Sequence, residues 1–430
     1  MEAITMSTDF SEQLLFTLPL YLGPLFIFAL IDFVRSTRGY RVNDTLTNAT
    51  IALGNLGFTF ILVAGIIAMY NYLYSNFSLF TLDQTSVTTW LIAFIFYDFC
   101  FYWNHRVHHA IGIFWVDHIV HHTAENFNFG VSIRNSYFME VTMWLTFIPM
   151  ALAGISIEVF LAVSYTQMTW AFLIHHKKLK HTPRLDKVFN TPSLHRVHHA
   201  RNTKYIDKNF GGIFIIWDRL FGTYQTESES VPVTYGVRES IQSFSPLMIN
   251  IQYLKVIIKK FTHSKTLIDK LKSIFYSPGW LPAGLTKTEC LGKIADIPCK
   301  DFKPKNSPLT ATMKLSCILR FIVILVVFTY LMWNFYDLPW LQTTALSFLF
   351  FWLCHYNGIV FDGVKIIWKS EVLSQFLIIL SGITGLGYTS VNIVSAAIIF
   401  TSFVSFICYT LHHSPPSHSK KNRLLSALTE

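Results

Sequence analysis

Three stretches of the chain repeat one histidine spacing: His105-Arg106-Val107-His108-His109, His118-Ile119-Val120-His121-His122 and His195-Arg196-Val197-His198-His199. Of the 17 histidines, 12 fall within the 95 residues from His105 to His199, where proportional scatter would put about four. On a helix, positions i, i+3 and i+4 share one face, so each box aims two or three imidazoles at a common point. A lone histidine such as His263 or His355 reads as an ordinary core or surface residue, but three such boxes do not. So many rings are costly to bury unless something occupies their nitrogen lone pairs and suppresses protonation, and a divalent metal does both. Eight or nine nitrogens exceed the needs of one ion. The count points to two metals, each with four or five imidazoles and room for O2 or water.

Ligand type alone leaves zinc, copper, iron and nickel open. The sequence holds no HExxH and no GxSxG, which removes the simplest zinc-protease and serine-hydrolase readings. It also holds no Gly-rich dinucleotide fingerprint and no cytochrome-like haem segment, so redox chemistry here needs a separate electron donor. With the boxes at the ends of apolar helices, the accessible substrate is an acyl or alkyl chain from the leaflet. A redox metal acting on its unreactive C–H bonds is the simplest interpretation. Two carboxylates join the candidate catalytic set. Asp98 lies inside an apolar run about two helical turns before His105, and an intramembrane carboxylate counts as functional by default. Its expected partner is a ligand histidine or Arg106; the alternative is a carboxylate satisfied by a neighbouring helix. Glu125 either orients a ligand imidazole through its second nitrogen or caps a helix start. Trp217–Phe221 mixes aromatic and ionic side chains as an interfacial structural anchor does.

The elements that must position these residues are membrane helices. The chain has 430 residues, 52% hydrophobic, 16% aromatic and only 14% charged, a composition far from a soluble globular average. Apolar runs place spans at about 13–34, 50–73, 88–104, 137–153, 156–175, 316–334, 341–361, 372–387 and 390–411. The first is not a signal peptide, because Met1–Glu12 carries acids rather than bases. Arg35, Arg38 and Arg41 follow it, whereas Asn76–Ser86 has no basic residue, so the basic side is cytoplasmic. If 137–175 is a hairpin that dips in and returns, the same face receives His105–His122, Lys177–Lys180, the block 195–312, Lys365 and Lys369, and Lys420–Arg423. Formal net charge is +9; it belongs to membrane flanks, and no nucleic-acid partner is expected. The six cysteines form no CxxC pair, and Cys290 with Cys299 is the one candidate bridge. Leu254–Phe261 and Leu267–Phe275 read as amphipathic helices on the membrane surface, with a solvated linker as the alternative. The expected fold is all-α: a multi-pass helical membrane protein with a di-metal site at the cytoplasmic face.

The boxes, together with Asn190-Thr191-Pro192-Ser193-Leu194 and Trp217-Asp218-Arg219-Leu220-Phe221-Gly222-Thr223, resemble the fatty acid hydroxylase and sterol desaturase superfamily, and within it the alkylglycerol monooxygenases. The likeness runs from about Tyr97 to Trp280 and includes Tyr205–Phe210, Thr234-Tyr235-Gly236 and Ser277–Trp280. It implies a di-iron monooxygenase with ligands at His105, His109, His118, His121, His122, His195, His198 and His199, and His175 as a ninth. His108 stands where those relatives have a small residue, which makes it an outer donor or an exposed ring, and His176 and His181 read as surface residues. Ala110 stands where they carry a glutamate, whereas Glu125 and Asn128 match theirs. The implied partners are a lipid from the bilayer, O2 and an external reductant, either tetrahydrobiopterin or a cytochrome b5-type donor. The implied membrane is the endoplasmic reticulum in a eukaryote or the inner membrane in a bacterium. The corresponding division is 1–90 for N-terminal spans, 91–224 for a catalytic region, 225–314 for a connector, 315–413 for a four-span bundle and 414–430 for a basic tail. A hydroxylase or desaturase of a sterol, fatty acid or sphingoid base competes within the enzyme class. A metal transporter or sensor competes from outside it, but should carry ionisable groups at mid-membrane along several spans.

Overall fold

The computed structural model describes residues 22–35, 39–177, 179, 181–238, 243–291, 304–306, 309–335 and 337–363. The expected spans 372–387 and 390–411 lie outside them, as do Cys299 and so the Cys290–Cys299 pairing, Lys365, Lys369 and the basic tail. The chain divides into two compact units, Met1–Asn306 and Ser307–Glu430. Among the described residues the structure is α-helical, with short 3₁₀ turns and isolated β-bridges only. The protein is a multi-pass helical membrane protein.

In the first unit, α1 (Leu22–Val34) precedes α2 (Val42–Phe77). With 36 residues, α2 is roughly 54 Å long and outreaches the ~30 Å hydrocarbon. Its apolar part corresponds to the expected 50–73 span, while its first turns are buried against protein and carry polar side chains. There Thr47 donates to the Phe244 carbonyl at 3.3 Å and Asn55 to that of Ser136 at 2.7 Å. Helix α3 (Val87–Ala110) starts at a Ser86 cap and runs without a break from the 88–104 apolar run into the first box. It ends at Ile111, and α4 (Gly112–His122) carries the second box away in a new direction. The bend is tied down where the Gly112 N–H donates to the Tyr276 carbonyl at 2.9 Å. A side chain at Gly112 would press on the backbone oxygens of Ile274 and Tyr276, so glycine lets the two segments approach without displacing that backbone.

After the single turn α5 (Phe129–Ser132), the 139–152 stretch is broken into α6 (Met139–Met143), a 3₁₀ turn and α7 (Ile148–Leu152), with Pro149 interrupting the ladder. Gly154, at φ 82°, turns the chain into α8 (Ile157–Ile174). A buried aromatic knot fastens α2, α3, α7 and α8: the Tyr97 and Phe147 rings stack at 4.5 Å, and Tyr70 packs on Phe160 at 5.0 Å. The short α9 (Pro192–His198) carries the third box, with Pro192 in its first turn. Next come α10 (Ile216–Leu220), then α11 (Pro246–His263) and α12 (Leu267–Phe275), which pack against α4, and α13 (Lys287–Leu291). Ile119 of α4 is fully buried against Tyr253 and Ile257 of α11, burial of a side chain of this size stabilising by about 1.5–3 kcal/mol.

The described residues of the second unit form a hairpin of α14 (Ala311–Trp333) and α15 (Trp340–Phe361), in which buried Arg320 donates to Asn357 at 2.9 Å. Among the described residues, four helices are long and apolar enough to cross a membrane: α2, α8, α14 and α15. Helix α3, expected as a further span, dilutes its apolar run with Asp98, Asn104 and the box histidines.

Candidate metal centre

Helix geometry splits each box. At about 100° per residue, positions i and i+4 stand about 40° apart while i+3 lies about 60° to the other side. His105 and His109 therefore stay together, as do His118 and His122, and His195 and His199. His108, His121 and His198 diverge from their box-mates. Instead of one focus per box there are two nests shared among boxes. The first nest holds His105, His109, His118, His122 and His198, the second His121, His175, His195 and His199; in each, the donor atoms lie within 4.8 Å of one another. His175, at the C-terminus of α8, completes the second nest. All nine histidines expected as ligands are thus gathered, and the nests adjoin where the rings of His122 and His199 stack at 4.5 Å.

The spacing inside each nest tests the fit of a metal. In the first, His105 Nε2 stands 2.9 Å from His118 Nε2, which is 3.0 Å from that of His122; the latter is 3.2 Å from His109 and 3.1 Å from His198. In the second, His121 to His175 is 3.2 Å, His175 to His195 is 3.1 Å and His195 to His199 is 3.1 Å. Imidazole nitrogens held about 2.0–2.1 Å from one divalent ion at right angles stand about 3 Å apart. Burial, reinforced by neighbouring rings, holds His118, His121, His122, His195, His198 and His199 well below the usual histidine pKa. Burial likewise lowers His175 to about 4, against the pull of the Ala171 carbonyl. Burial thus favours the neutral form of these seven rings, which keeps a lone pair to give. Within the second nest, His195 Nδ1 has no hydrogen-bond partner, and His121 meets the Arg134 backbone. A donor set of neutral imidazoles with inward Nε2 atoms fits a divalent transition metal in each nest.

The nests differ in enclosure. Phe127 seals the second, its ring 5.4 Å from His175 and 5.1 Å from His199, with Tyr235 stacked behind it at 4.9 Å. At the first nest His109 and His118 are only half-buried, and Trp115 lies 4.9 Å from His109.

The two expected catalytic carboxylates lie elsewhere. Asp98 meets neither a histidine nor Arg106: it accepts from the backbone N–H of Ile213 at 2.6 Å and of Phe214 at 3.2 Å, and from the Trp217 indole at 2.8 Å. A carboxylate inside an apolar helix needs donors, and the 213–217 turn supplies three. The same contact gives Trp217 a structural role. Glu125 accepts from the Lys305 backbone N–H at 2.5 Å and faces a polar cleft, not an imidazole, with burial raising its pKa. His108, outside both nests, is buried, donating through Nδ1 to the Asn104 carbonyl at 2.8 Å and standing 3.0 Å from the Thr142 hydroxyl. His181 pairs with Asp186.

Two arginines, neither expected to matter, hold the boxes in place. Arg134 donates to the Val120 carbonyl at 3.0 Å, to Thr123 at 2.8 Å and to Asn48 at 2.8 Å, clamping the C-terminal end of α4. Arg196, inside the third box, donates to Glu227 at 2.6 Å and to the carbonyls of Leu179 at 2.6 Å and His176 at 3.2 Å. A lone arginine next to an apolar run was the available signal for the first; for the second, none distinguished Arg196 from Arg106 at the same box position.

Residues 90–223 match the sequence model described as fatty acid hydroxylase. The chain is 32% identical over 317 residues to an alkylglycerol monooxygenase of Danio rerio, covering 73% of this chain and 70% of that protein. It is 34% identical over 278 residues to an alkylglycerol monooxygenase of Homo sapiens, covering 65% of this chain and 60% of that one. An ornithine lipid hydroxylase of Rhizobium tropici is 26% identical over 149 residues, 34% of this chain and 45% of its own length. No solved structure matches the chain.

Proposed function

Because the chain belongs to the fatty acid hydroxylase family, and is as a member a membrane hydroxylase acting on a lipid, we propose that it oxidises the ether-bonded carbon of an alkylglycerol-type lipid with O2. The two adjacent nests of five and four histidines carry this reading, and the alkylglycerol monooxygenases of two vertebrates supply the substrate class. One iron would be held by His105, His109, His118, His122 and His198, the other by His121, His175, His195 and His199. Bound there, the irons supply the redox capacity to turn O2 against a C–H bond.

The remaining work belongs to the chain's own residues. The low-pKa rings keep their lone pairs at neutral pH, and the carbonyls of Ala171, Lys208 and Phe210 hold the Nδ1 protons of His175, His198 and His105 away from the nests. Phe127 and Tyr235 keep water from the second nest. In the overall reaction one oxygen atom enters the C–H bond and the other leaves as water, with two electrons from tetrahydrobiopterin or a cytochrome b5-type donor. Hydroxylation beside an ether oxygen gives a hemiacetal that breaks to a fatty aldehyde and glycerol. A second reading, hydroxylation or desaturation of another lipid, is favoured by Ala110, which stands where the resemblance implies a glutamate beside the first box.

We place the site at the cytoplasmic face of the endoplasmic reticulum or bacterial inner membrane. The α11–α12 pair would lie on that surface, a position supported by the exposed Leu267, Ile268, Leu271 and Phe275 beside Lys270 and Lys272. We assign the catalytic region to 91–224. The test is iron analysis of the purified full chain with product analysis from a labelled alkylglycerol, with and without reduced pterin. Two irons per chain and pterin-dependent aldehyde are expected; turnover by metal-free protein would sink the reading.

A further inference from the structure

One short loop touches the first nest at three points in succession. His109 Nδ1 donates to Asp207 Oδ1 at 3.3 Å, His198 Nδ1 to the Lys208 carbonyl at 2.9 Å and His105 Nδ1 to the Phe210 carbonyl at 2.9 Å. These rings come from two helices, α3 and α9, distant in sequence. The loop reaches them because Asp207 (φ 56°) and Asn209 (φ 58°) both adopt the left-handed conformation. Aspartate and asparagine are the non-glycine residues that tolerate it best.

The loop is anchored from behind. Fully buried Asn209 donates to the carbonyls of Leu194 at 2.9 Å and Gln225 at 2.7 Å, and accepts from the Gln225 N–H at 2.8 Å. Asp218, also fully buried, accepts from the N–H groups of Phe210 at 2.8 Å and Gly211 at 2.7 Å and from the Thr223 hydroxyl at 2.6 Å. Asp98 holds the next turn at Ile213 and Phe214. Two buried carboxylates and a buried amide therefore fix the segment, together with the buried Phe210 ring, which packs on Tyr102 and on the rings of His105, His109 and His198. The second nest has no such strap: His175 uses the Ala171 carbonyl of its own helix, His121 meets the Arg134 backbone, and His195 Nδ1 has no partner.

We propose that Asp207–Phe210 is an orienting strap for the first nest alone, locking the Nδ1-protonated tautomers of His105, His109 and His198 so that bare Nε2 atoms face inward, with Asp207 and Asn209 as positioning residues. The proposal rests on the two-metal reading and adds that the two positions differ in outer support. Outer partners of metal-binding imidazoles orient the ring and raise its basicity.

Full-length protein in detergent, loaded with ferrous iron, tests it. Asp207→Gly removes an exposed carboxylate and keeps the left-handed backbone. Asn209→Gly keeps the left-handed backbone and deletes the anchoring amide. Each should weaken one of the two irons by about 10–100-fold in competition with a chelator and leave the other unchanged, altering one of two Mössbauer signals. Asp207→Asn, which retains an accepting oxygen, should keep both irons and both signals as in the wild type. Iron retention and spectra like those of the wild type in both variants, or equal loss of both irons, would overturn the strap. A wild-type protein that never holds two irons would instead bring down the reading beneath it.

Discussion

The two nests grow from one repeated spacing and come out unequal. The first has five rings, two of them half-buried, and three rings oriented by a loop from outside the helices; the second has four rings, all buried behind Phe127, with no such loop and with His195 Nδ1 lacking a partner. The difference arises because an i, i+3, i+4 box cannot aim three rings at one point, so α4 and α9 each serve both nests. Enclosure and outer support are consequently divided. The accessible nest is held by hydrogen bonds and the sealed one by packing, which suits a centre that must admit a lipid carbon on one side and keep water out on the other.

The largest effects should come from breaking one nest at a time. His122→Ala and His199→Ala each remove a ring from a different nest, although the two rings touch. Each should lower turnover by more than the ~100-fold upper worth of an outer partner and remove one iron from the chain by metal analysis. If either variant lost both irons, the nests would be one cooperative site and the contrast would fail.

The packing side is probed next by Phe127→Ala. Removing a ring this deeply buried should cost about 3–5 kcal/mol of stability in thermal or denaturant unfolding, and should speed iron loss from the second nest selectively. A weaker effect is expected from chelator alone: the wild type should release iron in two phases, the faster from the first nest through half-buried His109 and His118. His109→Ala should abolish the fast phase and leave the slow one. A single phase would erase the distinction in enclosure.

How much of this the sequence made legible differs between ligands and their supports. The three boxes, and His175 at the end of a span, could be read because imidazole has few reasons to recur at helical spacing in an apolar chain. The supports could not. The strap acts mainly through backbone carbonyls of Lys208 and Phe210, which any residue would supply, and Asn209 shows its value only when Leu194 and Gln225 are brought around it. Asp98 was visible as an anomaly, yet its partners are backbone N–H groups more than a hundred residues away, which no spacing rule reveals. The break at Ile111–Gly112 that parts α3 from α4 was equally hidden inside a continuous histidine-rich run, because it depends on the α12 backbone packing against Gly112.

The smallest effect on the metal should come from His108, the one box residue assigned to neither nest. Its ring is tied to the Asn104 carbonyl and lies 3.0 Å from the Thr142 hydroxyl, which in turn donates to Asp117 at 2.9 Å, so three helices meet at one oxygen. Thr142→Val keeps the shape of that side chain and removes the oxygen. It leaves His108 Nε2 and one Asp117 oxygen short of a partner in a buried place, while Ser136 still holds the other at 3.0 Å. The loss should be about 1–3 kcal/mol of stability, read by denaturant unfolding, with two irons per chain and unchanged turnover per iron. If one iron departs with the hydroxyl, then His108 supports the first nest after all, and that nest has a second outer scaffold besides the strap.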